Sequence, residues 1–391
     1  MRLVSLIACG NRGGWFVIAL LFCADVQAQP AFEHRQTLRV LGIPTGTLPT
    51  GILNAITDVP GVRVGHVTLQ KGHGPLVPGQ GPVRTGVTVI IPRDNVWNRK
   101  VPAGSFVLNG TGEMTGLAWI EEAGFLEYPI ALTNTLNAPL VANGVVSWML
   151  KQYPAIGITD DTLTPVVAEC DDSYLNDSQG RHVREHDVVR ALDGAHSGVV
   201  EQGSVGAGTG MRSYGFKGGI GTSSRVLSAA DGAYVVGVLV NANHGRREQL
   251  TILGHSMAPH FAKVEAPSQT TEGSIIVIIG TNAPLNNRQL KRVAKRATFG
   301  LARTGTIGRH GSGDFILAFS TGNVIPHYPT DLTYSMTILS DIYLNQIFAA
   351  VVEATEEAIL NALTMATTVI GRDGHRVEAI PIEQLKRVLI P

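Results

Sequence analysis

A serine is a weak nucleophile until a neighbouring base takes its proton, and Ser274 stands where the chain itself can supply that base. It lies in the run Thr271-Glu272-Gly273-Ser274-Ile275-Ile276-Val277-Ile278-Ile279, between a polar, Pro-bearing loop and an apolar strand. Scission between Gly273 and Ser274 would leave the Ser274 hydroxyl beside its own freed α-amine, whose ordinary pKa near ~8 suits it to act as a base. Gly273 fits such a cut, because a residue without Cβ lets the hydroxyl close on the preceding carbonyl. By itself a Gly-Ser pair before an aliphatic run more commonly just opens a buried strand.

Other segments hold groups that such a nucleophile needs. In Arg309-His310-Gly311-Ser312-Gly313-Asp314 the glycines keep a loop tight, and Ser312 and Asp314, two apart, share one face of an extended segment. Asp314 can then accept from Ser312, leaving Ser312 to orient a hydroxyl or an amine, with His310 as the rival general base. The runs Val238-Leu239-Val240-Asn241-Ala242-Asn243 and Ile278-Ile279-Gly280-Thr281-Asn282-Ala283 both end in an Asn-Ala pair. If the two strands lie side by side, the Asn243 amide comes near one end of the strand carrying Ser274, where it can donate to an oxyanion; an ordinary strand-end turn is the other reading. Glu169-Cys170-Asp171-Asp172-Ser173-Tyr174-Leu175-Asn176-Asp177 gathers four carboxylates in nine residues at a strand end. The spacing is not that of an EF-hand loop, and a carboxylate there suits a substrate ammonium. The glycines of Gly203-Ser204-Val205-Gly206-Ala207-Gly208-Thr209-Gly210 match neither Gly-x-Gly-x-x-Gly nor a Gly-Lys-Ser/Thr phosphate loop, and read as close backbone packing or a tight loop lining a pocket.

The elements that must position these groups read as layered α/β. Apolar runs punctuated by Gly, Pro or Asn predict strands over 87–91, 130–133, 165–169, 234–240, 274–279 and 315–319. Helical spacing predicts helices over 286–301 and 342–367, with shorter ones over 113–123 and 141–151. Several strands are apolar on both faces, so each needs cover on both sides. The basic run Lys291-Arg292-Val293-Ala294-Lys295-Arg296 is spaced like a solvated helix face. With Lys+Arg and Asp+Glu equal at 31 each, no overall field favours nucleic acid or an anionic membrane. Arg2, an apolar stretch from Trp15 to Phe22 and Val26-Gln27-Ala28 predict a secretory signal over 1–28, and hence a periplasmic or secreted protein with no permanent membrane anchor. Cys9 and Cys23 leave with that signal, so Cys170 remains alone, read as a buried structural thiol rather than a nucleophile. No linker divides residues 29–391, which read as one domain with 256–272 as an exposed loop open to cutting.

Taken together in chain order, several segments resemble one family: Asn54-Ala55-Ile56-Thr57-Asp58-Val59-Pro60-Gly61-Val62-Arg63-Val64-Gly65-His66, Gly110-Thr111-Gly112-Glu113-Met114-Thr115-Gly116, Thr133-Asn134-Thr135, Lys217-Gly218-Gly219-Ile220-Gly221-Thr222, Asn241-Ala242-Asn243-His244-Gly245, Gly273-Ser274 and His310-Gly311-Ser312-Gly313-Asp314. The family is that of the DmpA-type L-aminopeptidase/D-esterases and β-peptidyl aminopeptidases. The resemblance implies a four-layer αββα sandwich, similar in layout to the N-terminal-nucleophile hydrolases, and self-cleavage at Gly273-Ser274 into chains 29–273 and 274–391. It implies Ser274 as nucleophile, Ser312 and Asp314 orienting and activating it, Asn243 holding the oxyanion and Glu169 binding the substrate's free amine. It implies no cofactor and no metal, small peptide, amide or ester substrates, and homo-oligomers of two-chain protomers. Two departures bear on substrate preference: Asp314 stands where the family pattern has a glutamate, and no aromatic adjoins Glu169, Tyr174 being the nearest substitute. An acyltransferase working through the same acyl-enzyme, as the likeness of this fold to ornithine acetyltransferase suggests, and a non-catalytic binding protein are the alternatives.

Overall fold

The computed structural model describes residues 35–264 and 273–390. The predicted signal over 1–28, with Cys9 and Cys23, lies outside the described residues, as do 265–272 of the expected loop. In chain order the principal elements are β1 (Arg63–Lys71), β2 (Val83–Ile91), β3 (Arg99–Gly110), α1 (Leu117–Ala123), β4 (Ile130–Asn134), α2 (Ala138–Gln152), β5 (Val166–Cys170), α3 (Glu185–Asp193), β6 (Gly219–Val226), β7 (Val235–Asn243), β8 (Ser274–Thr281), α4 (Asn287–Arg303), β9 (Gly313–Ser320), α5 (Leu344–Thr364) and α6 (Ile382–Leu389).

One sheet runs β1-β2-β4-β5, antiparallel except for the parallel pair β4/β5. The other runs β3-β9-β8-β7-β6, parallel only between β8 and β9. Period-two alternation along β8 explains why both of its faces are apolar. Ile276 and Ile278 join a core with Val87, Val89, Leu132 and Val167 of the first sheet, whereas Ile275, Val277 and Ile279 pack with Leu290, Val293 and Ala297 of α4 and Ala354 and Ala358 of α5. With α2 and α3 against the first sheet, the layers are helices, sheet, sheet, helices. The helix α4 is set by its sequence: the Asn286 side chain accepts from the Gln289 N–H (3.0 Å), the Gln289 side chain accepts from the Asn286 N–H (3.2 Å), and Leu290, Val293, Ala294, Ala297 and Leu301 form one buried stripe.

Several sequence expectations are corrected. The helix expected over 113–123 begins only at Leu117, because residues 113–115 run beside β5, with Glu169 N–H donating to Glu113 C=O (3.2 Å) and Thr115 N–H to Val167 C=O (2.9 Å). In the loop expected to be exposed over 256–272, Met257 and Phe261 are buried. The strands β1, β3 and β6 and the helices α3 and α6 escaped the apolar pattern. β6, Gly-Ile-Gly-Thr-Ser-Ser-Arg-Val, is small and polar yet buried, since α5 lies directly on it: a Cβ on Gly221 would fall 1.9 Å from the Ala358 carbonyl, and the Ser223 hydroxyl donates to Ala354 C=O (2.8 Å). The glycine-rich segment does pack backbone to backbone, with Gly203 N–H on Ile220 C=O (2.6 Å) and room for no Cβ on Gly208, which would fall 2.4 Å from Ile220 N.

Candidate active site

Three strand ends meet at one edge of the second sheet. Asn243 closes β7, Ser274 opens β8 and Gly313 opens β9, and the register sets Ser274 directly between the other two. The two Asn-Ala strands are therefore neighbours, but antiparallel, so Asn243 meets Ser274 while Asn282 lies at the far end, accepting from Val235 N–H (2.7 Å). Gly273 is required by space rather than by dihedral freedom: a Cβ there would lie 2.1 Å from the Asn243 carbonyl oxygen and 2.7 Å from His244 Cα. Its own carbonyl accepts from Gly313 N–H (3.3 Å).

The Ser312 hydroxyl donates to Asp314 (2.6 Å), as the spacing of the two residues predicts, and the other Asp314 oxygen accepts from the Asn109 amide (2.9 Å). Burial raises the Asp314 pKa above the usual carboxylate range, opposed by these donors and by the Ile275 N–H. Asn109, on β3, is a partner that sequence reasoning missed, since it belongs to a strand whose Pro102 and Gly104 disguise it. The rival base His310 is exposed on its turn, where its carbonyl accepts from the Thr111 hydroxyl (3.3 Å). Asn243 pairs with Ser274 across the strands as expected, but one N–H of its amide donates to Asp171 C=O (3.0 Å) and its oxygen accepts from Arg212 N–H (2.8 Å). Its second amide hydrogen is what it has left to offer an oxyanion. Cys170 is fully buried, reaching the Asn241 carbonyl at 3.7 Å, and burial pushes its thiol well above its ordinary value.

Ser274 and Gly273 form part of the wall of a cavity of about 530 Å³, with Gly112, Thr135, Glu169 and Asp171 around it. Glu169 is 4% exposed, and each of its oxygens is held: Oε1 accepts from Glu113 N–H (2.9 Å) and Oε2 from the Thr135 hydroxyl. Burial raises its pKa, helped by the charges of Asp171 and Glu113 and opposed by the two hydrogen bonds. A buried carboxylate facing a cavity is matched by a cation. Asp172 instead turns inward, accepting from Asn176 (2.9 Å) and Ser178 (3.0 Å), and burial pushes its pKa up to about 7. The Tyr174 ring stacks on His375 (4.3 Å) with the Arg212 guanidinium over it (4.0 Å). One group of three metal-type ligands occurs among the described residues, Asp160, Asp161 and His327. There Asp160 is already occupied by the Trp97 indole N–H (2.8 Å) and the His327 ring (2.8 Å), away from this cavity.

Residues 54–377 match the model of peptidase family S58. The beta-peptidyl aminopeptidase BapA of Sphingosinicella xenopeptidilytica is 44% identical over 364 residues, 90% of this chain and 90% of its own. The chain belongs to peptidase family S58. Among solved structures, the Burkholderia sp. beta-aminopeptidase superposes with a TM-score of 0.85 at 42% identity, over 91% of this chain and 99% of that one. The L-aminopeptidase D-Ala-esterase/amidase from Ochrobactrum anthropi, a prototype for the serine aminopeptidases and a variant of the Ntn hydrolase fold, does so with 0.84 at 42% identity, over 90% and 98%. This S58 chain thus has the N-terminal-nucleophile layering of its relatives and is an aminopeptidase-type hydrolase.

Proposed function

We propose that this S58 chain matures by cutting itself between Gly273 and Ser274 and then removes N-terminal residues from small peptides, amides or esters through an acyl-enzyme on Ser274. The observation that carries this reading is the shared cavity: a serine at the start of a strand and a buried, doubly held carboxylate face the same space. In maturation the Ser274 hydroxyl attacks the Gly273 carbonyl, the amide nitrogen leaves as the new α-amine, and water hydrolyses the resulting ester to a Gly273 carboxylate. In turnover Glu169 holds the substrate ammonium and Ser274 attacks the adjoining carbonyl. The α-amine, steadied by Ser312 and Asp314, carries the proton from the hydroxyl to the leaving nitrogen, and water releases the acyl group. The second Asn243 N–H and a backbone N–H meet the tetrahedral oxyanion, where one such donor contributes about 2.7–4 kcal/mol. The likeness to two β-peptide enzymes favours β-amino as well as α-amino substrates. Export to the periplasm or medium and assembly into homo-oligomers of two-chain protomers complete the proposal.

Denaturing electrophoresis with N-terminal sequencing tests it. Active enzyme should give two chains, the smaller beginning at Ser274, and Ser274→Ala should stay uncut and inactive. One uncut band in active enzyme removes the mechanism.

A further inference from the structure

The carboxylate assigned to the substrate amine does not hold itself in place. Glu169 closes toward the cavity between two donors that come from different loops: the Glu113 N–H on Oε1 (2.9 Å) and the Thr135 hydroxyl on Oε2. The first is fixed by backbone, because a Cβ on Gly112 would fall 2.7 Å from Oε1. The second depends on one side chain. Thr135 follows β4 directly, in a turn capped by Asn134, which accepts from Asn137 N–H (3.0 Å) and donates to Thr85 Oγ1 (2.7 Å). Thr135 is itself exposed and lines the cavity, so its hydroxyl serves no buried scaffold.

We propose that Thr135 is the positioning residue for amine recognition, its hydroxyl aiming the Glu169 carboxylate at the substrate ammonium and keeping it ionised; this rests on Glu169 being the amine anchor. With one lone pair of each oxygen taken by these donors, one on each is left for the cavity that Glu169 lines, enough to meet two N–H groups of one primary ammonium. The charged groups facing Glu169 are Asp171, beyond the end of β5, and Glu113, ahead of α1; both are acidic and disfavour its ionisation. Thr135 opposes them.

The test is steady-state kinetics of Thr135→Val and Thr135→Ser on an aminoacyl p-nitroanilide across pH, beside Glu169→Gln. Valine keeps the shape and loses the donor, so KM should rise about tenfold or more with kcat within a few-fold, since a hydrogen bond to a charged group carries about that weight. The acid limb of kcat/KM should move to higher pH, serine should restore both, and self-cleavage should be unchanged in all. Wild-type KM and an unmoved limb in Thr135→Val, or a Thr135→Ser as impaired as valine, overturn the role of the hydroxyl while leaving the anchor standing. Full activity of Glu169→Gln on free-amine substrates overturns the anchor, and this inference with it.

Discussion

At Glu169 recognition and stability pull in opposite directions. Its folded pKa lies above the ordinary value of 4.5, because burial outweighs the two hydrogen bonds. Activity needs the ionised form, so kcat/KM should climb with pH along a limb displaced above 4.5. Stability runs the other way. Well below 4.5 the group is protonated in both folded and unfolded chains and makes no difference; as pH rises from 4.5 through the folded pKa, the unfolded chain ionises first and the native state loses ground. Glu169→Gln should therefore lower kcat/KM for free-amine substrates by about two orders of magnitude, the weight of about 3 kcal/mol for a buried charge partner. It should also raise the thermal midpoint at neutral pH, matching wild type at strongly acid pH. A midpoint that falls at neutral pH would show the carboxylate to be structural. The sequence made Glu169, Ser274, Ser312, Asp314 and Asn243 visible because each sits beside a strand end. It could not reveal Thr135 or Asn109 as partners, since their contacts span 34 and 205 positions.

Among the elements, the junction of β7, β8 and β9 decides whether Ser274 can work. Gly273→Ala places a methyl group 2.1 Å from the Asn243 carbonyl, a clash with backbone that only a shift of β8 against β7 can relieve. The expected result is a precursor that accumulates uncut, read by electrophoresis. Gly254→Ala is the control: Gly254 has φ +80 and nothing within 4 Å, so it carries backbone strain without the clash and should process normally. The strong apolar runs, β8 above all, were legible because each face is buried against apolar side chains and is itself aliphatic. β6 was not, because its polar serines and glycines are explained only by a helix lying on it. The same holds for residues 113–115, helical by pattern and extended in fact, because their backbone serves β5 and Glu169.

For the whole molecule, a cut at Gly273-Ser274 would leave two chains that the architecture keeps together. β8 and β9 would belong to the smaller chain, yet they sit inside one sheet between β3 and β7 of the larger. α5, also in the smaller chain, sends Glu357 into a buried cluster with the larger: Arg225 (2.7 Å), Arg39 (2.9 Å), the Thr45 hydroxyl (2.9 Å) and the Asn54 amide (2.6 Å) all donate to it. Glu357→Gln leaves the fully buried Arg225 with Glu353 (3.0 Å) as its remaining carboxylate, a loss of about 1.5–3 kcal/mol. A thermal midpoint lowered by several degrees is expected in both the uncut Ser274→Ala chain and the two-chain enzyme; an unchanged midpoint would show the cluster to be dispensable. The sequence by itself determined the layered class, the buried strands and the residue types capable of acyl transfer, because burial on two faces and the chemistry of a Gly-Ser junction are local properties. Only the tertiary structure decided which of those residues share a cavity and which carboxylate faces it, because strand register and the donors around Glu169 come from segments far apart in the chain. The same reason hides the polar strand β6, whose buried partner lies more than 130 residues away.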